Sequence, residues 1–282
     1  MDFYNKLTIS WKKNNSLLVV GLDPEPSKFP KELIEKKESI FEFCKCIVDA
    51  TNNYVCGFKI QIAYFSAYKA ENQLEKLCNY IKLNYPELIT ILDAKRGDIG
   101  HTSEKYAQEI FERYEVDSVT VNPYMGLDAI LPFLNRKNKG VIILCKTSNK
   151  SSKDFQELIL NNGNSLYLHI ADTIAKKWNY NKQCALVVGA TFPNDIKKVR
   201  DIVGEDMPLL IPGIGAQGGN LESTINAGIN KLGSGILINS SRNILYPYID
   251  NININWMQYS ADQAKVLNNK INSIINDSFI KK

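Results

Sequence analysis

Histidine is nearly missing from this chain: His101 and His169 are the only two in 282 residues. A histidine-centred nucleophilic triad or a multi-histidine metal site has almost no material to work with. The six cysteines, at positions 44, 46, 56, 78, 145 and 184, form no C-x-x-C pair and no Cys/His metal spacing. Most stand in apolar surroundings, as Cys145 does at the end of Val141-Ile-Ile-Leu-Cys145, which points to reduced, buried thiols in a cytoplasmic protein. No apolar run approaches the roughly 20 residues that cross a bilayer. Met1-Asp-Phe-Tyr-Asn-Lys6 lacks the apolar stretch of a secretory signal. Charge excess is slight as well: 34 Lys and Arg face 30 Asp and Glu, a net +4. The lysines are scattered, so neither nucleic acid nor a membrane is indicated as a partner. A mild positive balance suits an anionic substrate without selecting one.

What the chain does have is repetition of strand-like segments. Eight short apolar runs recur: Leu17–Asp23, Gly57–Ile62, Leu88–Asp93, Ser118–Asn122, Gly140–Lys146, Ala185–Gly189, Pro208–Pro212 and Lys231–Ile238. Near-continuous apolar character is what a parallel strand covered on both faces requires. Amphipathic segments alternate with them. Ser39 to Ala50 aligns Ile40, Phe43, Cys44, Ile47 and Val48 on one stripe. Ser103 to Tyr114 does the same with Ala107, Ile110, Phe111 and Tyr114, with Thr102 or Ser103 as the expected N-cap. A helix from about Ser66 is expected to stop near Tyr85, because Pro86 disfavours helical geometry just before it. The Asn- and Lys-rich residues around Asn149–Lys153 and Asn161–Asn164 read as an elaborated loop after the fifth strand, and a helix from about Ser260 to Ile275 completes the outer layer. Without a composition break, these repeats predict an α/β fold, a (β/α)8 TIM barrel forming a single domain over residues 1–282. An open doubly wound sheet is disfavoured, since the first run ends in Leu22-Asp23-Pro24 and no G-x-G-x-x-G follows it.

Barrel enzymes place their chemistry at the carboxyl ends of the strands, and polar residues gather there. Asp23 ends the first run, Lys59 lies in the second, Asp93 and Lys95 end the third, and Asn122 ends the fourth. Lys146-Thr147-Ser148, Gly189-Ala-Thr191 and Asn239-Ser240-Ser241-Arg242 end three more. At extended spacing, Asp93 and Lys95 point the same way and set a carboxylate beside an ammonium. Lys59 on the adjacent strand can extend this into an alternating charge network, with Asp98 three residues beyond Lys95. The competing reading is a rim salt-bridge cluster that only ties strands together. A second signal is Pro212-Gly-Ile-Gly-Ala-Gln217-Gly-Gly219, four glycines in eight residues. Their backbone N–H groups can approach a phosphate closely, and Arg242 in the next loop can add a bidentate fork. The alternative is a turn with no ligand.

Together these segments resemble orotidine 5′-phosphate decarboxylase through nearly the whole barrel. Asp93-Ala-Lys95-Arg96-Gly97-Asp98-Ile99-Gly100 is similar to the family's catalytic motif. Leu22-Asp23-Pro24, Phe58-Lys59, Lys146-Thr147-Ser148 and the Pro212–Gly219 loop follow in the family's order. Val121-Asn-Pro-Tyr-Met-Gly126, Val188-Gly-Ala-Thr191 and Ser240-Ser-Arg242 resemble the longer, type 2 subfamily. The resemblance implies a cofactor-independent, cytoplasmic homodimer with shared active sites that converts orotidine 5′-phosphate to UMP. It implies that Lys95 protonates C6 of the pyrimidine, that Asp93 sits near the substrate carboxylate, and that Lys59 holds Asp93 and the ribose hydroxyls. Asp98, with Thr102 near it, would serve the partner's site. Asp23 would contact the ribose, Ser148 the pyrimidine edge, and Gln217 and Arg242 the phosphate, with Pro212 and Ser241 completing the substrate contacts. Three rivals stand beside it: a Mg2+-dependent sugar-phosphate relative sharing D-x-K-x-x-D, a Schiff-base aldolase using Lys59 or Lys146, and a non-catalytic phosphate-binding barrel.

Overall fold

The computed structural model describes residues 1–214, 218–246 and 255–280. Its eight strands are β1 (Leu18–Leu22), β2 (Gly57–Gln61), β3 (Ile89–Arg96), β4 (Ser118–Val121), β5 (Gly140–Lys146), β6 (Cys184–Val188), β7 (Leu209–Pro212) and β8 (Ile236–Ser240). They pair in parallel in chain order, and β8 returns to β1 through Leu18↔Ile238 and Val19↔Asn239, closing the barrel. Every apolar run supplies one strand, because a strand lying between a filled interior and a helical coat must be apolar on both faces. Side chains alternating outward, such as Val20, Leu22, Phe58, Ile60, Val141 and Ile143, pack under the helices. Inward positions, among them Val19, Ile89, Ile91, Ile142, Val187, Leu210 and Leu237, fill the barrel itself.

The amino-terminal helix Phe3–Lys13 closes the bottom. Asp2 caps it by accepting the Asn5 N–H at 2.8 Å. Phe3 and Leu7, both buried, join the inner cluster, and the Phe3 ring fills the space where a side chain at Gly140 would stand. Each such burial contributes about 1.5–3 kcal/mol. With the floor filled, the carboxyl-terminal end is the side of the interior left for ligands.

Local boundaries differ from the sequence reading in several places. The helix expected from about Ser66 is two helices, Ile62–Ser66 and Glu71–Asn84, broken where Lys69 adopts φ +54°. The helix expected from Ser103 begins at Gly100 with Ile99 as its cap. Thr102 and Ser103 therefore lie inside it, and the Ser103 hydroxyl instead donates to the Ala129 carbonyl at 2.6 Å. β8 starts at Ile236 because Asn230 Oδ1 accepts the N–H groups of Leu232 and Ser234, holding Lys231–Gly235 in a turn. The last helix, Trp256–Ile280, is longer than expected at both ends.

All six cysteines are free; five are buried and Cys46 is half-buried. Burial pushes the Cys145 and Cys184 thiols up to about 12, so neither is a ready nucleophile. Among the described residues, no helix is long and apolar enough to cross a membrane.

Candidate active site

A cavity of about 420 Å3 opens at the carboxyl end of the barrel. A larger hollow of about 670 Å3 lies at the opposite end, between the first helix and the loops around Glu205 and Leu232. The charged network belongs to the smaller one, at the end where barrels assemble their sites.

Asp93 is its centre. Its carboxylate is buried and accepts four hydrogen bonds, two on each oxygen. Lys59 Nζ (2.9 Å) and Gln61 Nε2 (3.1 Å) donate to Oδ2. Lys95 Nζ (2.6 Å) and Thr120 Oγ1 (2.9 Å) donate to Oδ1. Lys59, Gln61 and Asp93 share an inward face because β2 and β3 pair Gln61 with Asp93. Burial by itself would raise the Asp93 carboxyl, but the two ammonium groups outweigh it and hold it well below the usual carboxylate range. Burial would likewise lower Lys59; Asp93, with Asp23 at 3.9 Å, raises it instead. A carboxylate and a lysine are thus both kept charged in a buried setting, each by the other.

Lys95 does not reach its place by simple strand alternation. The β3–β4 pairing slips between Leu92 and Arg96, and Lys95 takes φ +45°, a left-handed conformation rare outside glycine. Its side chain is half-exposed and lines the cavity, whereas Lys59 is buried beneath it. One ammonium is sealed in the floor and the other faces the open cavity.

Asp23, Ser148, Pro212, Ser241 and Arg242 also line the cavity, as their strand-end positions predict. A side chain at Gly21 would collide with the Ser241 hydroxyl, so that glycine lets β1 and the β8 loop close together. Asp23 Oδ1 and Asn239 Oδ1 are buried and accept no hydrogen bond from the described residues. Both residues line the cavity, and Lys59 Nζ lies 3.9 Å from Asp23 Oδ1. Asp98 and Thr102 are elsewhere. Asp98 Oδ1 accepts the Ile99 N–H, Thr102 is exposed, and neither lines the cavity of its own chain. Gln217 lies outside the described residues.

Lys146, grouped with the rim residues by sequence, turns away from the cavity. It is buried beneath the β5 loop, ion-paired to Glu157 at 2.7 Å and bonded to Ser152 at 3.2 Å, between the rings of Tyr167 and Phe192. A slip in the β5–β6 pairing between Leu144 and Lys146 turns it. Gln61 and Thr120 went unnoticed in the sequence reading, which named Asn239 among the polar strand ends without giving it a role. Being uncharged and set in apolar strands, Gln61 and Thr120 announce themselves only through inward parity with Lys59 and Asp93.

Fold and site define a class: a (β/α)8-barrel enzyme with a lysine–carboxylate network at the carboxyl ends of its strands. The chain belongs to the orotidine 5′-phosphate decarboxylase / HUMPS family, whose model matches residues 16–246. It is 54% identical over 274 residues to the orotidine 5′-phosphate decarboxylase of Bordetella petrii, covering 97% of this chain and 100% of that one. With the enzyme of the same name from Dechloromonas aromatica, identity is 56% over 246 residues, 87% of this chain and 90% of the relative. Among solved structures, Leishmania donovani OMP decarboxylase superposes with a TM-score of 0.81 at 33% identity, covering 98% of this chain and 99% of its own. Leishmania donovani UMP synthase gives 0.84 at 34% identity; there 98% of this chain matches, spanning only 57% of the synthase.

Proposed function

We propose that this chain releases CO2 from orotidine 5′-phosphate to form UMP, the last step of de novo pyrimidine synthesis, without a cofactor. The observation that carries this reading is Asp93 with its four donors, which holds Lys95 facing the cavity above the buried Lys59. Breaking the C6–carboxylate bond leaves the electron pair in an in-plane orbital that cannot delocalise into the ring carbonyls. Such a transition state needs a fixed, localised cation. Lys95 supplies it, then transfers a proton so that the former C–C pair becomes the C6–H bond. Lys59 stays protonated and holds Asp93. Asp93 beside the substrate carboxylate adds repulsion of about 4 kcal/mol at 4 Å and an effective dielectric near 20. That is a minor share of the roughly 8–23 kcal/mol that enzymes supply, so charge stabilisation carries most of the barrier lowering.

The remaining roles follow from position. Asp23, beside Lys59, takes a ribose hydroxyl. Ser148 meets the pyrimidine edge, with Pro212 and Ser241 against the substrate. Arg242, exposed at the rim, binds the phosphate together with Gln217. Asp98 and Thr102 serve a partner's cavity, making the protein a homodimer with shared sites, and exposed Ile99, Tyr124 and Met125 offer that partner apolar surface. The protein acts in the cytoplasm.

A spectrophotometric assay with orotidine 5′-phosphate, with and without EDTA, tests the reading. Chelator-insensitive CO2 release supports it; no turnover, or full metal dependence, overturns it in favour of a sugar-phosphate reaction. Borohydride trapping is expected to give no adduct, because Lys59 is ion-paired and Lys146 faces away from the cavity.

A further inference from the structure

We propose that Thr120 is a positioning residue that fixes Lys95 and Asp93 as one unit; the inference rests on the decarboxylase reading above. Thr120 lies on β4, is 1% exposed, and lines the cavity. Its Oγ1 accepts the backbone N–H of Lys95 at 3.0 Å and donates to Asp93 Oδ1 at 2.9 Å. An N–H can only donate, so the hydroxyl must spend its own proton on the carboxylate. The direction of both bonds is therefore set. Lys95 Nζ closes the circuit on the same Asp93 oxygen at 2.6 Å. Backbone, hydroxyl, carboxylate and ammonium of three residues form a ring, and Thr120 is its only member that is neither charged nor on β3.

The ring answers a local difficulty. At the β3–β4 slip Lys95 holds φ +45°, which costs a non-glycine residue about 1–2 kcal/mol. Such a conformation persists only where its surroundings over-determine it. The Thr120 hydroxyl does so by taking the Lys95 N–H at the slip. Because threonine is β-branched, its χ1 is stiff and the hydroxyl is held without help from solvent. Losing that hydroxyl frees the Lys95 backbone and removes one donor from Asp93, so Nζ drifts while the cavity keeps its shape. Displacement of a reacting group by 1 Å costs on the order of 100-fold in rate. The effect belongs in kcat, since Thr120 is not required to hold the phosphate or ribose.

The test compares Thr120→Val, which preserves shape and removes the hydroxyl, with Thr120→Ser, which restores it. In the full-length protein, Thr120→Val is expected to lower kcat about 30-fold while KM and the calorimetric affinity for UMP stay within about threefold of wild type. Thr120→Ser is expected to recover kcat to within about threefold of wild type. Thr120→Val with kcat within about threefold of wild type overturns the proposal. Parallel loss of kcat and UMP affinity, unrelieved by serine, also overturns it and makes Thr120 a packing residue. Wild-type turnover in the same assay checks the decarboxylase reading on its own.

Discussion

From β8 round to β4 the barrel mouth presents Asn239, Asp23, Lys59, Gln61, Asp93, Lys95 and Thr120, whereas from β5 to β7 the strands present Leu144, Val187, Leu210 and Pro212, with Thr147, Ser148 and Asn149 on the loop after β5 as the polar rim of that side. On the β5–β7 side the wall is the inner aliphatic cluster itself, through Val187 and Leu210 with Leu144 packed against them; on the other side that cluster is covered by the polar strand ends. A charge network alone would be diluted by water, and an apolar wall alone would offer no charge. Set face to face, the wall keeps the local dielectric low and the network's field strong where charge develops. In the proposed reaction the apolar side also suits a product that is neutral, as CO2 is, and the ammonium groups suit the anionic substrate and its carbanion-like transition state.

The most severe way to break this arrangement is to remove its exposed cation. Lys95→Ala is expected to lower kcat by at least about 10,000-fold, since general-acid catalysis and charge stabilisation go together. Its side chain is half-exposed, so the thermal midpoint should move little. Substantial residual turnover in the spectrophotometric assay would remove Lys95 from its role. Arg242→Ala acts at the rim instead of the centre. It is expected to raise KM for the phosphorylated substrate about 100-fold, the loss of a charged bidentate contact, while leaving the free nucleoside nearly unaffected. Equal losses for both substrates would deny the phosphate contact.

A milder change sharpens the comparison from the apolar side. Val187 is buried on the inner face of β6 and borders the cavity. Val187→Thr keeps the shape and adds a hydroxyl that can retain a water opposite Lys95. It is expected to lower kcat about tenfold, with a stability cost of about 1–2 kcal/mol for the buried hydroxyl. Unchanged kcat would show that dryness of this wall does not matter to the reaction.

These contrasts also show what could be read in advance. The strands were legible because burial on both faces demands apolar runs, and Lys59, Asp93 and Lys95 because charge at the end of such a run is costly without a partner. Thr120 and Gln61 were not, since an uncharged polar residue in a strand carries no such cost signal and only register reveals which way it faces. Lys146 misled for the reverse reason: charge and position marked it, but the slip at Leu144–Lys146 turned it under the loop. Both slips involve lysines at strand ends, Lys95 and Lys146. Pairing irregularities of this kind depend on neighbouring strands and leave no mark on local sequence. The helix that plugs the barrel floor escaped because only two of its side chains, Phe3 and Leu7, are buried in the interior core, with Tyr4 and Trp11 partly buried against it.

The smallest expected effect is that of pH on kcat, and it tests whether the polar half works in one charge state. Asp93 is held below the usual carboxylate range by Lys59 and Lys95 against its burial, and Lys59 is held above the usual lysine range by Asp93 and Asp23 against its own. Neither group changes charge between about pH 5 and 9, so kcat should be flat as far as these two set it. KM can still follow the substrate phosphate, whose second ionisation lies near about 6. The same shifts give stability a defined sign. For Asp93 the folded value is depressed, so its contribution is present above the unfolded value of about 3.9 and is lost as pH falls toward the folded one. For Lys59 the folded value is raised, so its contribution is complete below about 10.4 and is lost as pH rises through the folded value. Thermal melts between about pH 5 and 3 should therefore fall more steeply for wild type than for Asp93→Asn, which has no carboxylate to protonate. Parallel slopes would mean that Asp93 gains nothing from its four donors, and the charged half of the mouth would lose its claim to be a single locked unit.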